Sequence, residues 1–471
     1  VSDSSSTTAL ATADLALGAA ADAADIVVGN GGILTAHAST VLVNGVTMTG
    51  GTSGTITVTT GAWTVSGSWN TSGVGSVYTQ GTGIVTFDAT ATITMLSTDN
   101  TFDDLTISAG TATLATNIVI TNGLIISGGT LAKSTFTLNM TTLTMSGGDL
   151  TSTSGNVVVT GNVNISSAAS AIDFGSEAWT VSGTWTNAST DGAVWEAGTG
   201  TVTFDSATGG TMTFAGTNLA EAEFSSVTFN SSAGTAQTFT MATRGIRWLT
   251  TLTVSDATST TALASADLAL GAAADAADIV VGNGGTLTAN ASTVLVNGVT
   301  MTGGTSGTIT VTTGAWTVSG NWNTSGVGST YTQGTGIVTF DATATITLLS
   351  TDNTFDDLTI SAGTVTLATA VIVTNTLTIS GGTFAKSTFA ITSAGGLTMS
   401  GGDLTSTSGA VAITGAVNIS SAASAIDFGS ESWTVSGTWT NASTDASWDA
   451  GTGTITFTST TAQSMTFATF A

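Results

Sequence analysis

The stretch Asn100–Leu131 reads NTFDDLTISAGTATLATNIVITNGLIISGGTL. Within it the tetrapeptide LTIS at Leu105 returns as LIIS at Leu124. The series continues with LTMS at Leu143 and VNIS at Val163, so the steps are 19, 19 and 20 residues. Upstream, VTFD at Val85 and TVSG around Val65 extend it by two steps of 20. Each tetrapeptide alternates apolar with small polar residues, which is strand periodicity with one face buried. Gly-Gly pairs often follow, as in SGGTL and SGGDL, where a positive φ costs little. A strand returning about every 20 residues between Gly turns predicts an all-β fold, a parallel β-helix or solenoid. Equivalent strands would stack at about 4.8 Å, and dividing the chain by the period predicts roughly 20 to 24 coils. A row of β-sandwich domains is the competing architecture, but it gives no reason for such likeness between successive strands.

A second, longer period encloses the first. ADLALGAAADAADIVVGNGG at Ala13 recurs at Ala266, an offset of 253, and the same offset carries Trp63 to Trp316 and Lys133 to Lys386. The chain is therefore two near-identical tandem halves, residues 1–253 and 254–471, the second one shorter. A phrase built on Trp-Thr-Val-Ser-Gly-x-Trp occurs four times, starting at Ala62, Ala178, Ala315 and Ser432. A catalytic motif rarely needs four copies, whereas a structural rung does, because each copy buries its apolar side against its neighbours.

Composition bounds the rest. Hydrophobic residues make up 41% of the chain, enough for a continuous core. Only 7% of residues are charged, so Thr, Ser, Gly and Asn must supply the polar surface. The 29 acids face four bases, Lys133, Arg244, Arg247 and Lys386. A net charge of −25 argues against nucleic acid and anionic membranes as partners. No apolar run is long enough for a membrane-spanning helix. Proline is absent, as expected of a chain made mostly of paired strands. Cysteine is absent too, which removes disulfides and thiolate metal sites. The chain opens on Val1 rather than Met, which fits either removal of a secretion signal or an arbitrary cut.

The phrases GTGIVTFDATATITML from Gly81, NTFDDLTISAGTATLATNIVITNGLIISGGTL and LTMSGGDLTSTSG from Leu143 resemble repeats of large secreted bacterial and archaeal surface proteins. They are similar to the parallel β-helix regions of filamentous-haemagglutinin-like adhesins and autotransporter passengers. The resemblance covers most of the chain and implies an extracellular or cell-surface location. No secretion-domain or anchor motif of those families accompanies it.

Candidate sites are few. STDNTFDD brings Asp99, Asp103 and Asp104 together in sequence, repeated as Asp352, Asp356 and Asp357. Calcium takes several carboxylate and carbonyl oxygens from one turn, so these six residues are its candidate ligands; solvated turn acids are the alternative. Calcium is the only cofactor the sequence suggests. His37 is the only histidine, and Asn290 stands in its place in the second half, so a repeated histidine-based catalytic group is excluded. Paired acids could serve glycoside hydrolysis, but the Lys, Arg, Tyr and His side chains that accompany such sites are scarce. The expectation is no enzyme. Trp63 and Trp69, with their equivalents, could stack on sugars or fill a widened coil. The nine Asn-x-Ser/Thr sequons are what so much Ser and Thr produces by chance. Thr-x-Thr phrases such as TITVTT could bind ice as a flat ladder, or simply solvate a strand face.

Together these readings predict an extracellular structural protein that self-associates head to tail into a filament, sheath or surface layer. The alternative is an adhesin stalk carrying a tip that meets surface glycans or neighbouring cells; an ice- or glycan-binding solenoid ranks below both. The segment SMTFATFA shows no cap, and VSDSSSTTAL begins where the stretch missing from the second half would lead. An open coil edge at each end suits polymerisation, unless the Ala-rich segment acts as a cap or the chain is part of a longer one.

Overall fold

The computed structural model describes residues 24–38, 40–49, 54–208, 210–214, 223–230, 239–242, 247–255, 277–282, 284–289, 293–302, 307–459 and 462–467, with two short strands, Thr7–Ala9 and Leu15–Ala16. Most of each Ala-rich segment, Val1, Arg244, Asn290 and residues 468–471 lie outside the described residues.

The described residues hold strands and turns and no helix. They form a parallel β-solenoid of about 17 turns, each about 22 residues from the next. The turns, about 17 in the described residues, are longer than the 20 residues read from sequence. The reason is local. The tetrapeptide series samples the tightest coils, where Leu105 pairs with Leu124 and Leu124 with Leu143. Coils carrying the Trp phrase are longer: Val41 pairs with Trp63 and Trp63 with Val85, steps of 22.

Register follows from the alternation. Trp63, Val85, Leu105, Leu124, Leu143 and Val163 lie one above another in a single parallel ladder. All six side chains are buried. Two residues further along each strand a second buried column runs from Val65 through Phe87, Ile107 and Ile126 to Met145. The intervening Thr64, Thr86, Thr106 and Thr144 face outward and are only partly covered. The second half repeats the ladder through Trp316, Val338, Leu358, Leu377, Leu397 and Val417.

The Gly-Gly turns stack as well. Gly110, Gly129 and Gly148 have φ of 67°, 71° and 74°. A Cβ on Gly129 would lie 2.3 Å from the Gly110 carbonyl oxygen, and one on Gly148 would lie 2.0 Å from that of Gly129. Glycine is required here twice over, for the left-handed backbone and for the close approach of coils.

Contacts divide the chain into two compact units, Val1–Val227 and Thr228–Ala471. The sequence repeat begins at 254. An offset between like residues measures the length of a repeat, while compact units part where contacts thin, so the two boundaries need not coincide.

Two outcomes follow from the buried ladder. Leu143→Asp places an unpaired carboxylate in a dry stack and should destabilise the fold by on the order of 4 kcal/mol. Leu143→Met should stay within about 1.5 kcal/mol. Guanidinium unfolding followed by circular dichroism separates the two, and equal stability of both variants would contradict the inward assignment.

The chain's two tyrosines are both in the core. Neither Tyr78 nor Tyr331 has a hydrogen-bond partner for its hydroxyl, and burial pushes both phenols well above their ordinary value of 10.0. The unfolded chain ionises its phenols near pH 10 and the folded chain keeps them neutral, so stability from this source is whole below that pH and lost above it. Tyrosinate absorbance should therefore appear only together with loss of the β signal. Ionisation near pH 10 with the fold intact would refute the burial.

Candidate functional site

The acidic turns are built into the coil stack. Thr121 Oγ1 donates to Asp103 Oδ1 at 2.9 Å. Gly123 N donates to Asp104 Oδ1 at 2.9 Å and Asn122 Nδ2 to Asp104 Oδ2 at 3.1 Å. The second half repeats the arrangement: Thr374 donates to Asp356 at 2.8 Å, while Thr376 N and Asn375 donate to Asp357 at 2.9 and 3.0 Å. Gln80 Nε2, two coils from Thr121, donates to the same threonine oxygen at 3.1 Å. Asp99 and Asp352 sit in the preceding turns, their N–H groups donating to Leu96 O and Leu349 O. The carboxylates thus tie one coil to the next. Among the described residues no three His, Asp or Glu side chains gather as they would around a metal ion.

His37 is exposed. The Trp pairs are the reverse of a platform. Trp63 and Trp69 are both buried, edge to face at 5.7 Å, with Tyr78 and Phe102 at 5.3 and 5.7 Å from Trp69. Gly67 lies between their two strands, Ala62–Val65 and Trp69–Thr71, so each ring points inward from its own side. They fill the widened coil. The TITVTT threonines, Thr55 and Thr57, do face out, but Thr57 has only Thr35 and Thr79 stacked beside it. A longer hydroxyl column runs through Thr317, Thr339, Thr359, Thr378 and Thr398, one residue wide.

The most unusual chemistry was not visible as a motif. Lys133 occupies an inward position of the strand Thr130–Ser134, two residues after the buried Leu131, and is fully buried. Its Nζ donates to three carbonyl oxygens, Phe136 at 3.1 Å, Ser154 at 2.5 Å and Gly155 at 2.7 Å. A lysine ammonium has three protons, so its donors are satisfied. The balancing charge is Glu177, whose Oε1 lies 3.9 Å from Nζ and accepts Trp179 Nε1 at 3.0 Å. Burial pushes the Lys133 ammonium down and the Glu177 carboxyl up, and the attraction between the two opposes both shifts. In the second half Lys386 binds Phe389 O, Ser408 O and Gly409 O at 3.2, 2.5 and 3.1 Å. There Glu431 lies 3.8 Å away and accepts Trp433 Nε1 at 2.8 Å and the Ser406 hydroxyl. Each staple joins three successive coils. An ammonium with every proton engaged is an anchor and a poor nucleophile. The available signal was parity: in TLAKS, leucine and lysine share a face.

The chain matches no protein-family model, no curated protein and no solved structure in comparisons with each. No helix among the described residues is long and apolar enough to cross a membrane.

Removing one partner of the staple leaves a buried charge alone. Glu177→Leu should cost about 3–5 kcal/mol. Lys133→Met in the Glu177→Leu background should add little, because Lys133 has already lost its charge partner, though the three carbonyls then lose their donor. A double-mutant cycle by denaturant unfolding reads the coupling. Additive effects would show that the pair does not act as a unit.

Proposed function

We propose that this chain is an extracellular structural protein whose copies join head to tail into a surface filament, sheath or layer. What supports the reading is the solenoid itself: about 17 turns in which like stacks on like, with apolar columns inside and threonine columns outside. Such a stack is a uniform repeating unit in which one coil's text serves the next, as a structural subunit needs.

A head-to-tail contact between copies is heterologous and does not close on itself. The remaining surface suits a structural part: hydroxyl and amide groups solvate it, and two of the four bases are spent inside the core. Under this reading the protein catalyses nothing, and its surface location follows from the style of its repeats.

Sedimentation at micromolar concentration, with negative-stain electron microscopy, tests the reading. Filaments or sheets that grow with concentration are the expected result. Persistent monomers seen as isolated particles would favour a stalk and end the filament reading.

A further inference from the structure

The threonine column of the second half has a serine column beside it. In the strands Asp357–Ile360, Thr376–Ile379 and Gly396–Met399 the outward threonines are Thr359, Thr378 and Thr398, paired in parallel with no shift of register. The next residue of each strand is inward and buried, Ile360, Ile379 and Met399. The residue after it faces out again, and it is Ser361, Ser380 or Ser400. Each serine N–H donates to the coil before it, to Phe340 O, Ile360 O and Ile379 O at 2.8, 2.8 and 3.0 Å. The second column therefore keeps step with the first.

The two columns form a lattice. Its repeat is about 4.8 Å from coil to coil and about 6.6 Å across, the length of two residues in a parallel strand. Thr359, Thr378 and Thr398 offer hydroxyls with no hydrogen-bond partner among the described residues. The hydroxyls of Ser361 and Ser380 donate to Phe340 O and Ile360 O at 3.1 and 3.4 Å, which leaves their lone pairs to solvent. A β-branched side chain has few χ1 states, so the threonines are ordered before any ligand arrives. None of the six positions is ionisable. Asp341, one coil before Ser361, and Asp357, two residues before Thr359, already accept bonds from Ser319 Oγ at 2.7 Å and Thr376 N at 2.9 Å. The first half carries the same lattice with a break: Ile125 stands where the second half has Thr378, and it is 36% exposed.

We propose that this lattice is a binding face for ice. A neutral array of hydroxyl and methyl groups, repeating in two directions at distances comparable to those of the oxygen lattice of ice, fits a crystalline surface of water. Each hydroxyl contributes little, and the contacts act together because the stack fixes all of them at once. A polysaccharide is the other neutral ligand with a short repeat, and aromatic rings are the usual platform for its sugars. Trp316, Trp322, Trp433 and Trp439 of this half are buried and offer none. The inference goes beyond the filament reading, since a single copy carries the whole face.

The test follows the growth and recrystallisation of ice in solutions of the purified 471-residue chain by cryomicroscopy. Faceted crystals whose growth is arrested are expected. Thr378→Tyr puts a bulky ring in the middle of the lattice and should lose most of that effect. Thr378→Ile copies the residue that the first half carries there, so it tests the same position without endangering the fold, and it should weaken the effect as well. Thr392→Tyr, on the strand Ile391–Ser393 between Ile372 and Ala412, alters an outward threonine of a broken column and should keep the effect. Circular dichroism checks the fold of each variant. Ice growth unchanged by the parent chain, an effect that both Thr378 variants leave intact, or equal loss in the two tyrosine variants would overturn the proposal. So would co-sedimentation with insoluble cellulose or chitin that Thr378→Tyr abolishes while ice growth is unaffected, which would assign the lattice to a polysaccharide. Polymer formation is read by sedimentation without ice, so failure of either reading leaves the other standing.

Discussion

Parallel pairing of each strand with its counterpart one coil away sets every other feature of this protein. In a parallel ladder in strict register each residue lies directly beside its equivalent, at about 4.8 Å. Like therefore stacks on like. An inward leucine sits under an inward leucine, from Leu105 to Leu143, and a turn glycine under a turn glycine, from Gly110 to Gly148. A change at one rung is felt by the rungs above and below, which favours repetition of the same short phrase. The same geometry explains the scarcity of charge. A column of like charges at this spacing repels itself, whereas a column of threonines does not.

The lysine staples show what happens where the rule is broken. A cation at an inward position has no equal beside it to share the cost of desolvation. That cost is met by three carbonyl oxygens and one carboxylate, drawn from its own coil and the two that follow. Purely as a source of stability such a group is hardly better than an apolar side chain. What a leucine would not supply is direction: the lysine fits one register alone, because its acceptors come from residues 136, 154 and 155 and its counter-ion from residue 177. In a stack of near-identical coils, where a slip of one rung costs little, a group that recognises particular neighbours holds the register.

The solenoid and its inward columns were legible because both rest on alternation and spacing, which survive in sequence unaltered. Leu105, Leu124 and Leu143 announce their own stacking. The length of the average coil was not legible from them, since the insertions that lengthen the Trp-bearing coils sit between strands and leave the tetrapeptides unchanged. The two tryptophans of each phrase read as either platform or filler, and the strands on either side of Gly67 turn both rings inward. The hydrogen-bond partners of the STDNTFDD acids were not legible, because sequence shows the clustering and hides the neighbours: Thr121, Asn122 and Gly123 lie a full coil away. Lys133 hid for the same reason. Its role is set by Glu177, 44 residues on, and no local pattern links the two.

The same rule bears on how the stack holds together. Inside a stack each coil covers the apolar side of the one before it, so no coil needs a protected face of its own. Phe204 is buried because Trp185 and Phe224, from the coils on either side, close on it at 5.9 and 6.4 Å. Specificity of such packing cannot come from the ladder, which accepts any extended backbone. It must come from the few side chains that depart from the common pattern, and here those are the buried lysines and the aromatic rings.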